Sequence, residues 1–428
     1  MRTISVNPSR KEWAALMKRP AFETKNLEET VTHIINEVKE NGDEAVKKFS
    51  QEFHGFSPEK LWVTKQEIRE AGNYLEGSLK EAMLLAKRNI ERFHQDQILK
   101  EKKIVTAPGV TCWRKSMPAE KVGLYIPGGS APLFSTLLML AIPAKIAGCK
   151  NITLTTPAQK DGNVSAAIIY AANILGVDKI YKGGGAQAIA AMAYGTQSLD
   201  KVDKIFGPGN QYVTCAKNLV NRDGVAIDML AGPSELAVYA DETCIPEFVA
   251  ADLLSQAEHG ADSQVILVTP KRKIIDWVIE DIHRQLPFLE RKDIIEKSFL
   301  NRRFLVLDKN KAFDFLNEYA PEHLIIASKN AEKLSSLVKN AGSVFLGNMS
   351  PESAGDYASG TNHSLPTGGS AKTFSGVSVD SFVKKITFQK INKQGIKSIG
   401  FAVEKMAEAE GLTAHKNAIR IRMKKLKK

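Results

Sequence analysis

The chain is poor in cysteine. Cys112, Cys149, Cys215 and Cys244 are the only four in 428 residues, and they lie far apart with no C-x-x-C pair. That spacing excludes a disulfide framework and a thiolate zinc site, and it fits reduced thiols. Cys112 and Cys215 stay open as nucleophiles of the aldehyde-oxidising kind, although neither has a base motif beside it. Long hydrophobic runs are missing too. The longest, Leu133 to Ala147, is broken by Ser135, Pro143 and Lys145, so no membrane span is expected. The opening M-R-T-I-S-V-N-P-S-R has no apolar segment of the secretory kind, and a cytoplasmic protein with no membrane partner is the expectation. RNP-like motifs and aromatic-interleaved basic stripes are also absent. The formal charge of +11 owes much to the end of the chain: six of the last nine residues are basic, and without them the excess is +5. A solvated tail is expected rather than a nucleic-acid partner, with a basic-tailed nucleic-acid-binding protein as the remote alternative.

One further absence is local. From Asn348 to Gly369 the chain reads N-M-S-P-E-S-A-G-D-Y-A-S-G-T-N-H-S-L-P-T-G-G, without a lysine or arginine, in a protein that is basic overall. Small residues let backbone approach a ligand closely, and Asp356 and His363 stand among them as candidate ligands. The stretch reads as the wall of a site; an Asx-turn and glycine loop with an incidental histidine is the plainer alternative.

The length implies two or three folded units. The first part reads as helices: Leu27 to Glu40 sets Val31, Ile34, Ile35 and Val38 at helical spacing with Gly42 as a stop, and Lys80 to Lys100 behaves likewise. From Val122 short apolar strands alternate with glycine turns and helices, which predicts a doubly wound parallel sheet. A second such block follows Gly232, beginning with E-L-A-V-Y-A. After Ser381 the pattern returns to helices, with K-I-T-F-Q-K-I reading as a strand first.

Gly183-x-Gly185-x-x-Ala188, between a strand and a helix, has the form of a dinucleotide fingerprint. Its acidic partner would be Asp203, which itself looks like the start of a strand, so a ligand-free turn remains open. P-G-G at 127–129 and G-P-G-N at 207–210 also follow strands, and such turns gather at the carboxyl edge of a parallel sheet, favouring a phosphate-bearing cofactor. Gln256 and His259 in S-Q-A-E-H-G suit an N/O-ligated metal, or His259 caps a helix that Gly260 ends. Glu322 and His323 in Y-A-P-E-H-L offer a carboxylate and an imidazole at a strand end. Glu410 and His415 form another such pair. Of the remaining histidines, His33, His54, His94 and His283 are expected at the surface.

Together these segments resemble the histidinol dehydrogenase family. V-G-L-Y-I-P-G-G, G-G-G-A-Q-A-I-A, K-I-F-G-P-G-N, I-D-M-L-A-G-P-S-E, S-Q-A-E-H-G-A-D-S-Q, Y-A-P-E-H-L, G-D-Y-A-S-G-T-N-H-S-L-P-T and E-G-L-T-A-H-K carry the likeness, in the family's order, from about Val122 to Asn417. The N-terminal hundred residues match only in general helical character, and Leu230 stands where the family is expected to have proline. The resemblance implies zinc- and NAD-dependent oxidation of L-histidinol to L-histidine through the aldehyde, the last step of histidine biosynthesis. Another small alcohol, as in other members of the superfamily, is the alternative substrate. By motif, Gln256, His259, Asp356 and His415 would bind one zinc per subunit and the substrate. Glu322 and His323 would be the acid–base pair, with His323 also touching the substrate. Ser234, His363 and Glu410 would hold the substrate, and Tyr125, Gln187 and Asn210 the NAD. Glu410 and His415 would reach the site from the partner in an intertwined homodimer. The expected fold is two incomplete Rossmann-like domains with helical termini: a helical segment 1–22, a first α/β domain of 23–124 and 234–378 carrying metal and catalytic residues, a NAD-binding domain 125–233, and a C-terminal segment 379–428 serving the partner's site.

Overall fold

A computed structural model describes residues 4–20, 25–128, 132–229 and 232–426. Two parallel sheets, each buried on both faces, bear out the doubly wound α/β class. The first has five strands in the order Lys179–Lys182, Asn151–Thr156, Lys121–Tyr125, Lys204–Phe206, Ala226–Ile227. The chain builds outward on one side of Lys121–Tyr125 and then crosses to the other. A crevice therefore opens at the carboxyl ends of Lys121–Tyr125 and Lys204–Phe206. Because both faces are covered, the first four of these strands are buried beyond their first residue rather than at alternate positions. Leu124, Leu154 and Ile180 pack with Leu137, Ile142 and Ile168 on one face, while Tyr125, Tyr181 and Ile205 pack with Ile189 and Val213 on the other.

Helix Lys25–Asn41 docks on that second face. Val31, Ile34, Ile35 and Val38 are almost wholly buried, each burial contributing at most about 1.5–3 kcal/mol. Gly42 follows at φ +55°, a backbone angle that stops the helix and disfavours any side chain. The grouping of 23–124 with 234–378 does not match this packing. Lys25–Asn41, Asp43–His54 and Gly77–Gln95 bury their apolar faces in the cores of the five-stranded sheet.

The second sheet has six parallel strands, Ile4–Val6, Arg303–Val306, Gln264–Thr269, Glu235–Ala240, His323–Ala327 and Ser343–Leu346, in that spatial order. The N-terminal segment is thus not all helix. Ile4–Val6 adds an edge strand to Arg303–Val306 before helix Arg10–Leu16 begins. A third sheet, antiparallel, joins Val383–Ile391 to Val110–Pro118 and Ile104–Ala107. Only its first member is anticipated by sequence. Helices Lys393–Ala409 and Thr413–Lys425 then pack on each other as the expected C-terminal helical segment. Among the described residues no helix is long and apolar enough to cross a membrane.

Candidate active site

The carboxyl edge of the five-stranded sheet faces the amino edge of the six-stranded one, and a cleft of about 240 Å³ lies between them. From the first side come Leu133, Ser135, Thr136 and Gly207 to Gly209; from the second come Ser234, His259, Glu322, His323, Asp356 and His363. The first set obeys the rule that ligands meet a parallel sheet at its carboxyl edge. The second set breaks it, since Ser234 and Glu322 immediately precede their strands and His323 opens one.

His323 is 4 % exposed and its protonation is set by geometry. Its Nδ1 lies 3.3 Å from the backbone oxygen of Glu235, which can only accept, so Nδ1 carries the hydrogen. Nε2 then keeps its lone pair; it is buried with no hydrogen-bond partner among the described residues, 3.7 Å from Asp356 Oδ1. Burial, aided by the charge of His259, pushes the His323 pKa down to about 3, so the ring is neutral. Glu322 Oε2 accepts the backbone N–H of Glu235 at 2.9 Å and stands 3.7 Å from His323 Nδ1. Burial lifts the Glu322 pKa well above the usual carboxylate range, with the charges of Glu235 and Asp356 adding to it. His363 is locked at both nitrogens: Nδ1 donates to the backbone oxygen of Asp356 at 2.8 Å, and Nε2 lies 3.2 Å from Thr136 Oγ1 of the opposite wall. Burial lowers its pKa to about 4.

The wall from Asn348 to Gly369 contains a short helix, Glu352–Tyr357, in the stretch read as loop. That helix sets Glu352 one turn before Asp356, so both carboxylates project from one face. Glu352 is 1 % exposed, neither of its oxygens has a hydrogen-bond partner among the described residues, and Oε1 lies 3.7 Å from His323 Nδ1. Sequence reasoning missed it; the signal was the E-x-x-x-D spacing. One donor atom from each of His259, Glu352 and Asp356 lies within 4.8 Å of the other two. Burial raises the Glu352 pKa well above the usual range and that of Asp356 to about 7. A divalent cation would reverse this by supplying the missing positive charge.

Gln256 stands one residue before the end of helix Pro246–Ala257, fully buried, with neither amide atom partnered among the described residues. His259 lies just beyond. Over the whole residue it is solvent-exposed, yet enough protein surrounds its ring for burial, helped by Arg291, to lower its pKa. Gly260 is not in the left-handed conformation and Glu258 is the capping residue, so the helix-cap alternative for this motif does not hold. The chemistry of the donors fits a metal: nitrogen and oxygen atoms of borderline and hard character, several buried and otherwise unsatisfied.

Asn210 lines an adjoining cavity of about 330 Å³ together with Ser234, His259 and Asp262. It also caps helix Gln211–Arg222 by accepting from Tyr212 N and Val213 N. The turn before it depends on Gly207, at φ +129°, where any Cβ would sit 2.0 Å from the backbone oxygen of Tyr125. Tyr125 and Gln187 are buried behind the glycine turn at 183–185. Tyr125 OH accepts the Gly185 N–H at 3.1 Å, and both amide atoms of Gln187 are unpartnered among the described residues. Asp203 instead binds Lys121 N at 2.9 Å, fastening one strand to the next. Leu230 lies outside the described residues.

Glu410, which caps helix Lys393–Ala409, and His415, in helix Thr413–Lys425, are exposed, and neither is among the described residues lining the cleft. Cys112 and Cys215 do not line it either, and burial raises the Cys215 pKa, away from nucleophile chemistry. His33 and His283 are exposed as expected, but His94 is fully buried. It bonds Ile90 O through Nδ1 and backs Asn362, the neighbour of His363, through Nε2. The side chain of His54 lies outside the described part of the chain.

A profile of the histidinol dehydrogenase family matches residues 17–423, so the likeness reaches well before Val122. A Bacteroides thetaiotaomicron protein named histidinol dehydrogenase is 57 % identical over 421 residues, 98 % of either chain. One from Campylobacter jejuni is 50 % identical over 425 residues, again 98 % of each. The crystal structure of histidinol dehydrogenase from Elizabethkingia anophelis superposes with a TM-score of 0.98 at 52 % identity, covering 100 % of this chain and 99 % of that one. A dehydrogenase-type oxidoreductase, the chain belongs to the histidinol dehydrogenase family.

Proposed function

We propose that the protein oxidises L-histidinol to L-histidine in two steps, through the aldehyde, with zinc and NAD, in histidine biosynthesis in the cytoplasm. The observation that carries this reading is His323 Nε2, a buried lone pair facing the cleft beside the carboxylate of Glu322 and the donors His259 and Asp356.

Gln256, His259 and Asp356 would hold the zinc, with His415 supplied by a second copy of the chain. Bound there, the ion supplies a template that fixes the imidazole and amino nitrogens of the substrate. Ser234, His363 and the second copy's Glu410 would complete the substrate's contacts, with the His363 ring fixed by its two bonds. Tyr125, Gln187 and Asn210 would meet NAD, which supplies the hydride acceptor. The orphaned Gln187 amide and the cavity at Asn210 support that placing.

In the first half-reaction His323 Nε2 takes the hydroxyl proton as hydride leaves the carbinol carbon. In the second, Glu322 removes a proton from the water that adds to the aldehyde, and a second hydride leaves the hydrate. Each positioned base contributes on the order of 10²- to 10⁴-fold. An intertwined homodimer is supported by the antiparallel sheet and the C-terminal helices, where Val105, Phe388, Phe401, Met406 and Ile421 are 38–70 % exposed. So much apolar surface is unusual on a monomer.

The test is a substrate comparison with zinc and NAD present. L-Histidinol is expected to be oxidised, and small alcohols lacking the imidazole to react at least a hundredfold more slowly in kcat/KM. Turnover of another alcohol with none of histidinol would overturn the reading.

A further inference from the structure

A buried ion pair behind the cleft has no part in the steps above. Arg19 Nε and Nη2 donate to the two carboxylate oxygens of Glu235 at 2.5 and 2.8 Å. The same Nη2 donates to Tyr319 O at 2.7 Å, and the guanidinium carbon lies over the Tyr319 ring, 3.9 Å from its centre. The Glu235 side chain is 2 % exposed and that of Arg19 22 %. Glu235 Oε1 also accepts the N–H of Gly368 at 2.7 Å, tying in the segment that follows His363.

A two-pronged arginine–carboxylate pair is rigid and directional. Burying one adds little net stability compared with apolar packing, so its geometry is the more telling property. That geometry converges on the main chain of one residue, Glu235. The N–H of Glu235 donates to Glu322 Oε2, and its C=O accepts from His323 Nδ1. The main chain of a single residue thus orients the carboxylate and fixes the tautomer that leaves His323 Nε2 free. Its side chain is anchored 216 positions away in sequence, by Arg19.

We propose that Arg19, acting through Glu235, is a positioning residue for the Glu322–His323 pair. This rests on the reading of those two residues as proton-transfer groups. Without the guanidinium, the Glu235 carboxylate is buried beside Glu322 with the Gly368 N–H as its remaining hydrogen-bond donor among the described residues. The Glu235 main chain, whose N–H and C=O hold the two groups, then loses its anchor. Misplacing a reacting group by about 1 Å costs on the order of a hundredfold in rate.

The experiment compares wild type, Arg19→Gln, Arg19→Lys, Glu235→Gln and the double variant Arg19→Gln/Glu235→Gln as zinc-loaded full-length proteins. NADH formation from L-histidinol is followed and normalised to bound zinc. The expected result is a fall in kcat of about ten- to a hundredfold for Arg19→Gln, with KM for histidinol and NAD within about threefold. Arg19→Lys, which keeps the charge and loses the fork, should recover part of it. The double variant should be no slower than Arg19→Gln, because both changes break one linkage. Wild-type kcat per zinc site together with a lowered melting temperature would make the pair merely structural and overturn the proposal. A raised KM at unchanged kcat would overturn it too, by making Arg19 a binding group. Should Arg19→Gln fail to fold, Glu235→Gln, whose amide oxygen still accepts from Gly368, decides by the same split. A wild-type protein inactive with histidinol would remove the functional reading and this proposal together; an active wild type with an unimpaired Arg19→Gln removes the proposal alone.

Discussion

Replacing Glu322 by glutamine separates the two half-reactions. The change keeps shape and volume, and the amide oxygen can still accept the Glu235 N–H now held at 2.9 Å by Oε2. With that bond kept, the loss in folding stability should stay near the ~1 kcal/mol of one ordinary hydrogen bond. What disappears is the base. Glu322 is 6 % exposed, so bulk water cannot readily stand in for it. Aldehyde oxidation, which needs a proton taken from the attacking water, should slow by about 10²- to 10⁴-fold. Alcohol oxidation, assigned to His323 Nε2, should slow by less than about tenfold. The assay is NADH formation from L-histidinol and separately from L-histidinaldehyde, at saturating NAD with zinc present. The variant should release about one NADH per histidinol quickly and the second slowly. Equal losses with both substrates would refute the division of labour between Glu322 and His323.

His259→Asn should lower zinc content and turnover together, read by metal analysis of the purified protein beside the activity assay; full zinc with normal turnover contradicts a ligand role. Zinc affinity should also rise between pH 6 and 7. Asp356 is lifted by burial to about 7 from an ordinary 3.8, so the metal-free folded state holds a proton there that binding must displace. That linkage gives up to about tenfold per pH unit for each proton released, and a competition titration showing flat or falling affinity would tell against it. Mixing His259→Asn with His415→Asn subunits under exchanging conditions should restore up to about a quarter of wild-type activity. Half the dimers are then mixed, and one of their two sites carries neither lesion. No recovery after demonstrated exchange would place His415 in its own chain's site or in none.

How much of this was legible beforehand depended on how local the signal was. Glu322 with His323, and Gln256 with His259, are close in sequence, so their chemistry could be read before the fold was known. The strand–turn–helix rhythm likewise implied two parallel sheets. Glu352 escaped because a six-residue helix surrounded by Ser, Gly and Pro reads as loop, which hides its register with Asp356. Pairing of Val110–Pro118 with Val383–Ile391 joins segments too distant for any local pattern to announce. Ile4–Val6 is only three residues long and gains its strand character from Arg303–Val306. The helices of residues 25–95 carry clear apolar stripes, yet a stripe does not say which sheet will cover it. Nor could sequence show that the second sheet offers its amino edge to the cleft. That follows from how the two sheets face each other.

The most direct single measurement is the stoichiometry and metal dependence of NADH formation from a limiting amount of L-histidinol. Two NADH per L-histidinol are expected, with activity abolished by a chelator and restored by zinc. One NADH per histidinol, no NADH at all, or full activity in the metal-free protein would contradict the proposed four-electron, zinc-dependent oxidation.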